Sequence, residues 1–255
     1  MKKSKIAVLV AMVVVLAFSL AACGGSDKSS SDKTVYKVGT EPTFPPFDTT
    51  DEDQNIVGLD MDLIKAIGED QGFDVEFENL SFDGLIPALK AGNIDIVAAG
   101  MNKDDEDRQK EVDFSDSYYE SKLFVAVTED NTTIKSVEDL TPDMKVAAQT
   151  GTTGASKVKE LKDAGKIKEA VILDGLDTCM MKLINGDVSA VINDKPVTEA
   201  YIKKQPDKIK MVGEALNAEN YGFAVQKGNA ELVEKINNGL KNIKENGTYD
   251  KLVDE

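Results

Sequence analysis

The 255-residue chain contains no histidine and no tryptophan, only two cysteines, and only 30 Lys plus Arg against 46 Asp plus Glu. Without histidine there is no Ser-His-Asp triad and no imidazole general base. With one thiol left once Cys23 is assigned below, a zinc site of the usual nitrogen–sulfur kind is excluded and no metal site is expected. The same arithmetic rules out an intrachain disulfide, since Cys179 then stands alone, in a helical Leu176–Ile184 segment that suits a buried inert thiol. The net charge of −16 argues against nucleic-acid binding, which needs a basic face. It also argues against docking on anionic lipid by charge.

The N-terminus carries what charge alone does not supply. Lys2, Lys3 and Lys5 precede an almost unbroken apolar run from Ile6 to Leu20, and Leu20-Ala21-Ala22-Cys23 follows. The run is short for a bilayer span, which needs ~20 apolar residues, but it suits the core of a secretory signal peptide. A permanent anchor helix is the alternative, and small residues ending in cysteine argue against it. The Leu-Ala-Ala-Cys run resembles a lipobox. That likeness implies cleavage before Cys23, with residues 1–22 as signal peptide and a palmitate-type acylated diacylglycerol on the Cys23 sulfur. Two acyl chains give stable anchoring where one does not. Losing the three leader lysines takes the net charge from −16 to −19. Residues 23–33 (CGGSDKSSSDK) then form a Gly/Ser tether that reaches only ~17–19 Å on r.m.s. average.

Beyond the tether, β-branched or apolar runs alternate with amphipathic segments. Strands are expected at Val35–Thr40, Val75–Glu78, Ile94–Ala98, Leu123–Thr128, Val146–Ala148, Val171–Leu173, Ala190–Asn193, Lys210–Val212 and Tyr221–Val225. Leu59, Leu63 and Ile67 share one helical face; Leu232, Ile236, Leu240 and Ile243 form a longer stripe before Asn246-Gly247. Ser136-Val137-Glu138-Asp139 has the capping-box pattern. Such alternation points to α/β layers around mainly parallel sheets. One internal echo stands out. Leu89-Lys90-Ala91-Gly92-Asn93-Ile94-Asp95 and Leu183-Ile184-Asn185-Gly186-Asp187 each end a helix at glycine and open a strand with aspartate. Seven residues on lie Asn102 and Asp194, past the carboxyl ends of comparable strands, where ligands bind in open α/β sheets. Two similar lobes facing one cleft would explain the echo, although two generic αβ units would also produce it.

A free amino acid is a zwitterion, so its site requires a fixed cation and a fixed anion. Arg108 suits a carboxylate through two parallel bonds, and read alone it also suits a surface ion pair. Gln149-Thr150-Gly151-Thr152-Thr153-Gly154 follows a strand and opens a helix, so it offers either backbone N–H groups to an anion or a plain N-cap. No lysine stands where a phosphate loop requires one. Asp194 and Glu41 supply negative charge. Phe44, in a Pro-restricted turn, and Phe82 are placed to flank a ligand side chain or to join the core.

In this order and spacing, the pieces resemble the extracellular solute-binding proteins of family 3, which serve ABC importers of polar amino acids. The residues that carry the likeness are Gly39–Phe47, Gly58–Leu63, Phe82–Leu89, Gly100-Met101, Arg108 with Asp113-Phe114-Ser115, Gln149–Thr153, Asn193-Asp194 and Tyr221–Ala224, and the likeness spans about residues 34–254. It implies a two-lobed periplasmic-binding-protein fold of the type II, Venus-flytrap kind. Residues 34–118 and 222–255 would form lobe 1 and 124–216 lobe 2, with hinges about 119–123 and 217–221. By the same likeness, Arg108 and the Thr153 N–H take the α-carboxylate, while Asp194 and the Gly100 carbonyl take the α-ammonium. Phe44 and Phe82 sandwich the side chain, whose polar end meets Glu41, with Gln149 and Asn102 completing the site. Relatives usually carry threonine at the position of Asn102 and seven residues from glycine to arginine; here Gly100 to Arg108 is eight.

The likeness implies a monomer without cofactor or catalysis, held at the extracytoplasmic face of the cell membrane and feeding a membrane permease. Lysine, arginine, glutamine and cystine are the ligands it suggests. A sensing module and a dehydratase-like enzyme are the alternatives on this scaffold.

Overall fold

The computed structural model describes residues 33–254. The expected signal peptide, Cys23 and all but the last residue of the tether lie outside the described residues. From Thr34 onward, strands and helices alternate as the apolar runs predict. They build two five-stranded sheets.

The first sheet has the order Phe73–Asn79, Thr34–Thr40, Ile96–Val97, Ala224–Gln226, Val112–Phe114. Its first three strands are parallel, and Ala224–Gln226 runs antiparallel to both neighbours. The second sheet has the order Glu169–Leu173, Lys145–Gln149, Ala190–Asp194, Leu123–Thr128, Ile209–Val212. Here too the first three strands are parallel, while Leu123–Thr128 runs antiparallel to the strands on each side. The two sheets therefore share one pattern of strand directions. The sequence echo is the visible part of that repeat, because each echoed segment leads into the third strand of its own sheet.

In each sheet the antiparallel strand is reached across the junction with the other sheet. A two-stranded antiparallel ribbon marks this junction: Tyr119–Ser121 pairs with Glu219–Tyr221, placing Glu219 opposite Ser121 and Tyr221 opposite Tyr119. The expected continuous strand over Tyr221–Val225 is divided here. Tyr221 ends the ribbon and Ala224 begins the sheet strand. Between them, the Gly222 N–H donates to the Met101 carbonyl (3.1 Å), and the Phe223 ring stacks on Tyr118 with centroids 4.5 Å apart. Tertiary contacts override local strand propensity at this point.

Helical stripes become the core faces that their spacing predicts. Leu63 and Ile67 of helix Leu59–Gln71 are fully buried, as are Leu232, Ile236, Leu240 and Ile243 of helix Ala230–Glu245. Each such side chain contributes about 1.5–3 kcal/mol relative to exposure. The Ser136 capping box forms, with the Glu138 N–H donating to Ser136 Oγ (3.2 Å), but it opens a single 3-10 turn, Val137–Asp139. Cys179 is fully buried, and desolvation pushes its thiol up to about 12, so it remains an unreactive thiol at neutral pH. Among the described residues, no helix is long and apolar enough to cross a membrane.

Candidate functional site

The carboxyl ends of the parallel strands converge on a small, nearly closed cleft. One wall comes from segments of the first sheet: Phe44, Phe82, Gly100, Asn102 and Arg108. The other comes from segments of the second: Gln149, Thr152, Thr153 and Asp194, with Glu219 of the ribbon beside them. Eight of the nine ligand residues expected from sequence thus line one cavity. The ninth, Glu41, is 8% exposed and accepts a hydrogen bond from the Gln149 amide across the cleft (2.9 Å).

Arg108 is positioned by a short helix, Glu106–Glu111. Asp105 caps it by accepting from the Asp107 and Arg108 N–H groups (both 3.0 Å). In the turn that precedes this helix, the Asp104 N–H donates to Asn102 Oδ1 (3.1 Å). The Arg108 guanidinium lies 5.3 Å from the Phe82 ring centroid. It donates from Nη1 to the Asn102 carbonyl (3.2 Å) and from Nη2 to the Gly151 carbonyl (2.9 Å), the latter on the opposite wall. Burial pulls its pKa down, while Asp105, Glu219 and Asp194 oppose that pull. A guanidinium stays protonated regardless, and two of its five donors are engaged here. Asn102 presents its side-chain oxygen to backbone N–H groups of Asp104 and Asn220, so its side chain shapes the loop that carries Arg108.

The second wall is set by strand ends that run directly into helices. Gln149 ends one strand, and Thr152 caps the helix Thr153–Asp163 by accepting from the Ala155 N–H (3.1 Å). Thr153 is the first residue of that helix, so its N–H has no intrahelical acceptor and points outward. The N-cap alternative is realised in this turn. Asp194 ends the strand Ala190–Asp194, yet its carboxylate does not cap the helix that follows. Instead it accepts from Ser121 Oγ (3.0 Å) and from the Tyr221 hydroxyl. Burial, and then the neighbouring Glu219 carboxyl, hold Asp194 well above the usual carboxylate range.

Glu41 is raised as well, by burial first, with the Gln149 amide and Thr43 hydroxyl drawing it back. Gly100 has a left-handed φ of 52°, and a Cβ there would sit 2.6 Å from the Phe44 ring. Only glycine fits between that ring and the cleft.

Beneath the cleft lie two carboxylates that sequence reasoning missed, although Asp60 and Asp48 sit inside or beside the quoted motifs. Both are fully buried. Asp60 accepts from the Gly100 N–H (2.7 Å) and the Tyr118 hydroxyl (2.8 Å), and Asp48 accepts from Thr40 (2.7 Å). One oxygen of each, Oδ1, is buried without a hydrogen-bond partner among the described residues. Desolvation raises Asp60 to about 7, against the pull of its two donors. Burial and the Asp60 charge raise Asp48 well above the usual carboxylate range.

Native Asp60 holds its proton up to about 7, whereas the unfolded carboxyl loses it near about 4, so the native state binds more protons in that window. Stability is therefore expected to rise as pH falls from about 7 toward about 5. Its size is on the order of 1.4 kcal/mol per pH unit, or roughly 3–5 °C in melting temperature. Asp60→Asn should reduce that slope in thermal melts by the share of Asp60, leaving that of the other raised carboxyls, Asp48, Asp194 and Glu41. An unchanged slope would show that Asp60 is already ionised throughout.

Residues 36–255 match the model of bacterial extracellular solute-binding proteins, family 3. A probable histidine-binding protein of Neisseria gonorrhoeae is 34% identical over 245 residues, covering 92% of this chain and 90% of its own. An ancestral arginine-binding protein solved with arginine superposes with a TM-score of 0.83 at 44% identity, covering 87% of this chain and 97% of its own. An ancestral arginine-binding protein solved with glutamine gives a TM-score of 0.80 at 45% identity, covering 87% and 96%. With two sheets of matching topology facing one charged cleft, this chain belongs to the bacterial extracellular solute-binding proteins, family 3.

Proposed function

We propose that this chain captures a free polar or basic L-amino acid between its two lobes and delivers it, chemically unchanged, to the permease of an ABC importer. The observation that carries this is the placement of opposite charges on facing walls of one small cleft, Arg108 on one and Asp194 on the other. Arg108 and the Thr153 N–H take the α-carboxylate; Asp194 and the Gly100 carbonyl take the α-ammonium. Phe44 and Phe82 flank the side chain, and Glu41, held by Gln149, reads its polar end. Arginine, lysine, histidine, glutamine and cystine all fit this chemistry. No group in the cleft is an activated nucleophile, which favours binding without reaction.

The lobes comprise residues 34–118 with 222–255, and 124–216; the segments 119–123 and 217–221, which contain the two ribbon strands, act as hinges. Arg108 to Gly151 and Gln149 to Glu41 are contacts of the closed form. A lipid on Cys23 and a short tether would keep the protein at the extracytoplasmic membrane face, beside the permease it feeds.

A thermal-shift screen against the twenty amino acids and cystine tests the central claim. At 100 times its dissociation constant a ligand adds ~2.7 kcal/mol, or roughly 5–10 °C for a domain of this size. Failure of every compound to raise the melting temperature would refute it.

A further inference from the structure

Hydrogen bonds join the two lobes directly at both ends of the cleft. At one end Arg108 Nη2 donates to the Gly151 carbonyl (2.9 Å). At the other, the Gln149 amide donates to Glu41 (2.9 Å), and the Tyr201 hydroxyl donates to the Thr43 carbonyl (3.1 Å) across 158 positions of chain. Arg108, Gln149 and Glu41 each also meet the ligand in the reading above. Tyr201 does not: it lies outside the cleft lining, and its partner is a backbone oxygen.

Tyr201 belongs to the helix Lys195–Lys204, which begins directly after Asp194. It follows Asp194 by seven residues, two turns along one helix face, or about 10 Å of axial rise. The acid proposed to hold the ligand ammonium and the hydroxyl that reaches lobe 1 therefore move as one body. On the lobe 1 side, Thr43 sits in the turn that carries Glu41 and Phe44. Its N–H donates to the Glu41 carbonyl (2.8 Å), and the Phe44 N–H donates to the Asp48 carbonyl (2.9 Å), so the oxygen that Tyr201 grips is part of a fixed turn. Apolar packing backs the bond. Tyr201 packs against one cluster that contains both Phe44 and Phe47 of lobe 1 and Met180 and Val197 of lobe 2. Burial, and then the charges of Asp177 and Glu41, push ionisation of Tyr201 far above neutrality, so its hydroxyl stays a donor.

Resting on the amino-acid-binding reading above, we propose that Tyr201 is a latch of the closed form: its bond to the Thr43 carbonyl holds the lobes together and sets how long a captured amino acid is retained, whatever its side chain. The latch acts on residence rather than on choice. Without the Tyr201 hydroxyl, Glu41 still accepts from the Thr43 hydroxyl (2.8 Å) and from Gln149 (2.9 Å), so the group that reads the ligand side chain keeps its pose. Arrival is untouched as well, because a ligand enters the open cleft before the lobes meet.

The test is surface plasmon resonance on the full mature chain, held by its N-terminus, with L-arginine, L-lysine, L-histidine, L-glutamine and L-cystine. Tyr201→Phe keeps the ring and loses one hydroxyl. Its dissociation rates are expected to rise about 3- to 10-fold for every ligand that wild type binds, the size of one net hydrogen bond. Association rates should stay nearly unchanged, since differences among variants of one complex fall mainly on departure. A purely structural role would lower the melting temperature of unliganded protein without this split between the two rates. Unchanged dissociation, or a rise for some bound ligands and not others, would overturn the latch while leaving amino-acid capture intact. Absence of binding by wild type to any of the five, together with a blank melting screen, would sink both readings. If Tyr201→Phe does not melt cooperatively, hydrogen exchange on wild-type protein decides. Saturating ligand should slow exchange in residues 41–48 and 198–204 together, and protection of one segment without the other overturns the latch.

Discussion

Arg108→Ala is expected to weaken binding of every amino acid by roughly 30-fold to several-thousand-fold, corresponding to the ~2–5 kcal/mol lost when one partner of a buried charge pair is truncated. Arg108 is 8% exposed and faces Asp105, Asp194 and Glu219, so its removal leaves buried negative charge uncompensated and removes the proposed partner of the ligand carboxylate. It also removes the bond to Gly151 that joins the two walls. All amino acids share the α-carboxylate, so the loss should be uniform across ligands. Arg108→Lys should recover only part of it, because a single ammonium does not reproduce two parallel bonds. Calorimetry over the set of amino acids that raise the melting temperature measures this directly. A loss confined to one ligand would move Arg108 from the carboxylate to a side-chain role.

Glu41→Gln is expected to do the opposite and change selectivity rather than overall affinity. Its amide oxygen still accepts from Thr43 and Gln149, so the bridge across the cleft persists, and only the charge is lost. Binding of arginine and lysine should fall by about 10- to 100-fold, consistent with a charge-assisted bond of ~1.5–3 kcal/mol, while glutamine changes little. Burial raises Glu41 above the ordinary carboxylate range. Wild-type preference for cationic side chains should therefore weaken as pH falls through that raised range, and the variant should show no such drift. Competition binding between arginine and glutamine reads both effects. Equal losses for both ligands would contradict the assigned division between Arg108 and Glu41.

How much of this was legible beforehand differs from residue to residue. Leu232, Ile236, Leu240 and Ile243 announced a buried helix face by spacing alone, since an amphipathic stripe has one way to leave water. Gln149–Thr153 showed a strand running into a helix, because strand propensity, glycine and hydroxyl caps all agree there. Other features had no local signature. Glu219 is one of 46 acidic residues, and nothing around it distinguishes a buried carboxyl from a solvated one. Asp48 and Asp60 become a pair only through long-range packing: Asp60 meets Tyr118 across 58 positions. The division of Tyr221–Val225 into ribbon and sheet strand depended on Phe223 finding Tyr118.

Residue type, periodicity and order along the chain determined the α/β architecture, the twofold repeat and the set of polar residues at strand ends. These depend on local chain geometry and on which faces shed water, and both act within a few residues. Only the tertiary structure decided which of those polar groups share one desolvated cavity, and so which carboxyls keep a proton and which bonds join the two walls. Charge–charge and desolvation effects depend on distance and burial in space, and sequence separation carries neither.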